Sequence, residues 1–226
     1  MSERLIKSKK RVQEHGEVFT PKWMVQKMLE PPEIQEKLHS LHGTFLEPSA
    51  GEGAFLVEIL RGKLDYVNQV STNYTWPRNA LWALMSIYGI ELMPDNVKVA
   101  KQRMIKIVED YYEKAMGHKV TRRSDFYKSM IFIIDTNIQQ GNFLTCKNDL
   151  GQNITFSFWD KVTKNRVQRN LVTLASMLGK KDDAVSAGAE QLSLFDNDER
   201  NVKNHETAYA ICPVTKVYKE EKVSKQ

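Results

Sequence analysis

A chain of 226 residues with 41% hydrophobic content can bury one domain with a full core, and it is too short for two. No apolar run approaches the ~18 residues needed to span a bilayer, and Met1-Ser2-Glu3-Arg4 leads into basic residues rather than a secretory signal, so a cytoplasmic chain without a membrane partner is expected. Lys and Arg exceed Asp and Glu by 33 to 28, a net charge of +5 that suits a polyanionic partner without requiring one. The basic residues gather in an N-terminal arm (Lys7, Lys9, Lys10, Arg11), at Arg122-Arg123, and along Lys161, Lys164, Arg166, Arg169, Lys180 and Lys181. The two cysteines, Cys146 and Cys212, are far apart and outside any Cys/His cluster, which argues against a disulfide framework and a metal site.

In chain order, a basic arm over residues 1–19 precedes Thr20-Pro21, which predicts a helix start with Trp23, Met24, Met28 and Leu29 on its apolar turns and a stop at Pro31-Pro32. Gly43 to Leu46 predicts a short strand, followed by a Gly-rich turn and a helix carrying Phe55, Leu56, Ile59 and Leu60. Residues 80–86 predict a further helix and Ile87 to Leu92 a second buried strand. A long amphipathic helix then starts near Asp95 or Asn96 and ends near Gly117. A third strand and turn is expected over residues 137–142 and a fourth strand over 154–159. This alternation predicts an α/β fold with a mainly parallel sheet flanked by helices. Val167, Leu171, Leu174, Ala175 and Leu178 predict one more basic amphipathic helix, closing a domain over residues 20–179. Residues 180–200 read as a flexible linker, and the C-terminal extension over 201–226 as a tail with one strand between Ala208 and Val217.

In an open parallel sheet ligands sit beyond the carboxyl ends of the strands, and the informative residues lie there. The first end reads Glu47-Pro48-Ser49-Ala50-Gly51-Glu52-Gly53. Small residues let the backbone approach a ligand, while Glu47 disfavours a phosphate and favours a cation such as the amino or sulfonium group of S-adenosylmethionine. Glu91-Leu92 ends the second strand, where a carboxylate can accept both ribose hydroxyls of an adenosyl ligand or simply be a solvated acid. At the third, Asn142 can pair with an adenine edge and Phe143 can cover its face, or Phe143 can be ordinary core.

The series Gly16-Glu17-Val18-Phe19-Thr20-Pro21, Leu46 to Leu56, Tyr88-Gly89-Ile90-Glu91-Leu92 and Gly141-Asn142-Phe143-Leu144 resembles the DNA adenine (N6) methyltransferases of restriction-modification systems, in the group whose Thr-Pro motif precedes the Gly-rich motif. The resemblance spans residues 8–145 and implies a Rossmann-like class I methyltransferase fold with S-adenosylmethionine as cofactor and DNA as partner. It implies that Thr20 and Pro21 flank the methionine moiety, that Glu47, Ala50, Gly51 and Gly53 line the methionine and sulfonium region, that Glu91 holds the ribose, and that Asn142 and Phe143 hold the adenine.

The family's fourth strand ends in Asn/Asp/Ser-Pro-Pro-aromatic, which accepts the hydrogens of the target amine and stacks on a flipped base. No such motif is visible here: Pro31-Pro32 follows the first helix, and the expected place holds Ser157-Phe158-Trp159-Asp160. Trp159 and Asp160 are therefore weak catalytic candidates, equally explained as a buried aromatic strand with a terminal acid. Only residues 161–226 remain for target recognition, so a recognition or catalytic subunit is a candidate partner. The rival reading is a catalytically inactive methyltransferase-like module on DNA, and a third is methylation of RNA or protein. Finally, Gln191-Leu192-Ser193-Leu194-Phe195 resembles the peptide by which bacterial polymerases and repair proteins dock on the sliding clamp, with the Leu-Phe pair as apolar anchor and the Gln amide fixing register.

Overall fold

The computed structural model describes residues 7–15, 18–179 and 207–222. Three short helices come first, α1 (Lys9–His15), α2 (Lys22–Met28) and α3 (Pro32–Leu38). Strand β1 (Phe45–Glu47) leads into α4 (Ala54–Val70) and α5 (Trp76–Met85), and β2 (Ile87–Glu91) into α6 (Pro94–Met116) and α7 (Asp125–Asn137). After β3 (Ile138–Gln140) come β4 (Thr155–Lys161), β5 (Arg166–Thr173) and the single turn α8 (Leu174–Met177). Two short strands, β6 (Thr207–Ala208) and β7 (Cys212–Pro213), and a 3-10 segment, Val214–Lys219, complete the chain.

The protein is mixed α/β, and its parallel sheet has three strands in the order β1-β2-β3. Leu46 stands opposite Tyr88, and Ile90 opposite Gln139. Central β2 is buried along its whole length, whereas every residue of edge strand β1 is half-buried. Helix α4 fixes the arrangement of one face. Leu56 packs under Gly89 of β2, and the Lys63 ammonium lies 5.4 Å above the Phe45 ring. Helix α4 also meets α6, where Asp65 accepts a 2.8 Å bond from Tyr111, and α2 and His39, where Glu58 meets Lys22 and Gln26 and Tyr66 meets the imidazole. Helix α4 therefore packs against α6 as well as against α2 and α3. The local signals explain the long helices. Pro94 and Asp95 open α6 and left-handed Gly117 closes it. The Ser124 hydroxyl caps α7 by accepting from Tyr127 N–H.

Several sequence expectations change. Pro31-Pro32 ends α2 but also starts α3, because proline suits the first helical turn. In α2 the buried residue is Val25, while Trp23 and Met28 are 61% and 56% exposed, since this short helix rests on α4 alone among its main neighbours. Residues 166–173 are a strand, not a helix: the turn at Thr163-Lys164-Asn165 reverses the chain, and β5 pairs antiparallel with β4 from Val167↔Lys161 to Thr173↔Thr155. The sheet is thus not mainly parallel, since β4 joins a second, four-stranded antiparallel sheet with β5, β6 and β7. Residues 207–222 are not a tail with one strand; β6 and β7 pair with β5, and Val214 and Val217 are buried in the core. Arg169 is not part of a solvated basic patch either: it lies over the rings of Phe132, Trp159 and Tyr209 and bonds Ser157 and Glu220.

Candidate ligand site at the strand ends

The three carboxyl ends of the parallel strands are joined by hydrogen bonds. Ala50 N–H donates to Ile90 C=O at 2.8 Å, and Gly141 N–H to Glu91 C=O at 3.0 Å. Between them lies the carboxylate of Glu91, 6% exposed. Its Oε2 accepts from Gly51 N–H at 2.7 Å, and its Oε1 from Met93 N–H at 2.9 Å and Asn96 Nδ2 at 3.3 Å. A carboxylate offers about four acceptor positions. Three here hold the corner closed, so a pair of ribose hydroxyls can bind Glu91 only by replacing part of that set.

The Gly-rich turn needs its glycines for two different reasons. Gly51 has φ +53 and open space around it, the nearest atom to an added Cβ being Phe19 Cδ1 at 4.0 Å. Gly53 has φ +82, and an added Cβ would stand 2.9 Å from Ala100 Cβ, because the start of α4 is pressed against α6. Phe19 brings the neighbouring Thr20-Pro21 to the side of this turn, and half-buried Pro21 caps α2 in extended conformation. Ala50 is buried.

Glu47 is half-buried and accepts a 3.2 Å hydrogen bond from Ser49 N–H. Burial, and then the charge of Glu91, push its carboxyl above the ordinary range. No lysine or arginine among the described residues forms an ion pair with it. Two neighbouring carboxylates, one raised by the other, make a place that a cationic group would stabilise.

At the third end, Asn142 Oδ1 accepts from Leu144 N–H and Thr145 N–H at 2.9 and 3.3 Å, so the amide oxygen is engaged in its own turn. Phe143 is partly buried against the core, and Leu92 is 47% exposed beside the second strand end. Gly141 is required by close approach, since a Cβ there would lie 2.8 Å from Lys147 C=O.

No family model, no curated protein and no solved structure matches the chain.

Trp159 and Asp160 do not reach this site. The Trp159 indole N–H donates at 3.1 Å to Asn137, and Asn137 Nδ2 donates to Ile87 C=O at the start of β2. Ile87 stands four residues before Glu91, or about 13 Å along a strand. β4 runs from Ile154, beside Gly141, towards that far end, so it carries the pair away from the ligand corner. Asp160 is bonded there by Asn170. Both residues therefore stand away from the strand-end corner, not beside Glu47 where a parallel fourth strand would put them.

Among the described residues no strand pairs with the outer edge of β1. β4 lies against the face of the parallel sheet, where Tyr88 O–H donates to Ser157 C=O at 2.8 Å and its ring meets Phe156 edge-on. In the β1–β2 ladder Phe45 N–H donates to Ser86 C=O, so parallel pairing turns the N–H and C=O of Leu46 outward. No backbone group of the described residues bonds them.

Residues 191–195 lie outside the described residues, as do Lys180 and Lys181. The sequence reading missed Asn96, 1% exposed and bonded to Glu91, and Lys63, 0% exposed. Lys63 donates to Lys37 C=O and Ser40 C=O at 3.3 and 2.8 Å, and burial pushes its amine down to about 7. Its place on the apolar face of α4, in step with Leu56, Leu60 and Val67, was the available signal. Among the described residues no helix is long and apolar enough to cross a membrane.

Proposed function

We propose that this chain is the S-adenosylmethionine-binding part of a DNA adenine methyltransferase with a Rossmann-like class I fold, completed by a partner polypeptide. The observation that carries the reading is the strand-end corner in which Glu47 and Glu91 stand together without a paired basic side chain while Gly51 and Gly53 shape the turn between them. The cofactor would supply a methyl group on a cationic sulfur. Glu47 would face its charge, Glu91 its ribose, and Asn142 and Phe143 its adenine, with Thr20-Pro21 closing the methionine end.

Two features support a partner. Trp159 and Asp160 stand away from the corner, and among the described residues no backbone group pairs with the Leu46 edge, which offers one donor and one acceptor to an added strand. The experiment is calorimetric titration of the folded chain with S-adenosylmethionine and S-adenosylhomocysteine, with a dissociation constant of about micromolar order expected, or ~8 kcal/mol. Absence of heat with both ligands overturns the cofactor assignment.

The second reading is a catalytically inactive DNA-associated module that docks on the sliding clamp. It is favoured by the displacement of Trp159 and Asp160 from the corner and by the Gln191–Phe195 peptide. Methyl transfer by the chain together with its partner, and none by any combination, separate the two readings.

A further inference from the structure

The basic arm is fastened to the same corner. Lys7 Nζ stands 2.9 Å from Glu52 Oε1 in the Gly-rich turn and 3.0 Å from Asp95 Oδ2 at the start of α6. It also donates at 2.5 Å to Asn96 Oδ1. One turn later, Arg11 grips Asp95 with both terminal nitrogens, at 2.7 and 3.2 Å, and these two cations hold the Asp95 carboxyl well below its usual range. Glu52 belongs to the first strand end and Asp95-Asn96 to the second, so Lys7 staples the two together from outside.

The staple reaches the interior through one side chain. Asn96 accepts from Lys7 with its oxygen and, on its other amide group, donates to Glu91 Oε1; Glu91 in turn accepts from Gly51 N–H. Lys7 therefore fixes which way the Asn96 amide points and keeps Glu91 engaged within the protein. The contacts are partly open to solvent, with side-chain exposures of 18% for Lys7, 20% for Arg11 and 50% for Asp95. Ion pairs of that exposure are weak individually and yield to salt or to a competing anion. Lys9 and Lys10 are exposed on the same short helix, next to the fastened pair.

We propose that the arm is an autoinhibitory strap: Lys7 and Arg11 hold Glu91 in its internal hydrogen bonds, and a polyanion such as the DNA backbone releases it by drawing the arm off Glu52 and Asp95. The inference rests on the cofactor reading above for the identity of the ligand. The strap itself is independent of that reading. Release frees one acceptor position on Glu91 and lets Asn96 reorient towards an incoming hydroxyl group. A few exposed ion pairs are worth roughly threefold to tenfold in an equilibrium of this kind.

The test compares the full chain with a Lys7→Ala, Arg11→Ala double variant and with Asp95→Asn, each with and without a short DNA duplex. Amide hydrogen exchange reads the strap without any cofactor. Gly51 and Met93 are expected to exchange severalfold faster in both variants and on adding duplex or salt to the wild type, with Val57 in α4 as the unmoved control. Calorimetry with S-adenosylhomocysteine reads the consequence, with binding expected to tighten roughly threefold to tenfold in the variants and to become insensitive to duplex. Unchanged exchange at Gly51 and Met93 under all conditions overturns the strap, as does equal affinity in wild type and variants. Faster exchange with no binding of S-adenosylhomocysteine by any protein keeps the strap as a latch on Glu91 and refutes the cofactor reading.

Discussion

Glu91→Gln separates the structural use of this carboxylate from its proposed use by a ligand. The glutamate accepts three bonds, from Gly51 N–H, Met93 N–H and Asn96 Nδ2, at a position that is 6% exposed. Glutamine has nearly the same shape but only one acceptor oxygen. If that oxygen serves Gly51, an amide NH2 faces Met93 and Asn96, donor against donor; the opposite flip strands Gly51. Losing a charge-assisted bond and leaving a buried donor unmet costs about 2–4 kcal/mol. For a chain of this size each kcal/mol moves Tm by ~2–4 °C, so circular dichroism melts should show a fall of roughly 5–15 °C. The variant should still fold at low temperature, where S-adenosylhomocysteine binding is expected to weaken by roughly tenfold to a hundredfold. A Tm within about a degree of wild type would refute the view that the Glu91 carboxylate ties the first strand end to the second.

Gly53→Ala is expected to cost about 2–3 kcal/mol by urea denaturation, combining left-handed strain with the 2.9 Å approach to Ala100, whereas Gly51→Ala should cost only the strain of ~1 kcal/mol. Equal losses at the two positions would show that space does not distinguish them. Lys63 has a folded pKa of about 7, below its unfolded value, so the unfolded chain binds the extra proton above that pH and stability rises as the pH climbs from 7 towards 10. Relative to Lys63→Met the gain should be about 1.4 kcal/mol per pH unit; parallel pH profiles of the two proteins would remove Lys63 as the cause. The isolated chain should transfer little or no labelled methyl to adenine in duplex DNA at saturating cofactor, and robust incorporation would overturn the need for a partner. For the Gln191–Phe195 peptide, a bacterial sliding clamp should retain the native chain and lose a Leu194→Ala, Phe195→Ala variant. Equal capture of both, or of neither, counts against docking.

The first half of the chain was legible because its decisive contacts are local. The first two strands of the parallel sheet are short apolar runs that end in an acid, the third ends at the Gly141 turn, and α6 carries its own start and stop in Pro94 and Gly117. Helix α7 was equally readable, with Ser124 as cap and Phe126, Met130, Ile133 and Ile134 at helical spacing, yet its apolar residues went unassigned beside the more conspicuous Arg122-Arg123. The misreading of β5 has a different origin. Its buried residues are Val167, Asn170 and Thr173, and the apolar residues Val167, Leu171 and Leu174 fall at a spacing that a helix would also show. What makes it a strand is seven residues of pairing with β4, a tertiary choice that local propensity does not record.

Direction is still harder to read than pairing. An apolar run such as Ile154 to Trp159 has the same composition whether it lies parallel to β1 or reversed across its face. In the first case its last residues would stand beside Glu47; in the second, which is the one observed, Trp159 ends against Asn137 at the opposite end of the strands. Residue type alone therefore made Trp159 and Asp160 candidates, and strand direction carries them away from the corner. The same reversal leaves the Leu46 donor and acceptor without a backbone partner among the described residues, at the edge where a fourth parallel strand would enter. On the proposed reading the missing proline-rich motif is then a matter of which polypeptide carries that strand. A partner able to add it would bring new side chains directly alongside Glu47, a carboxylate that burial and then the charge of Glu91 hold above its ordinary range.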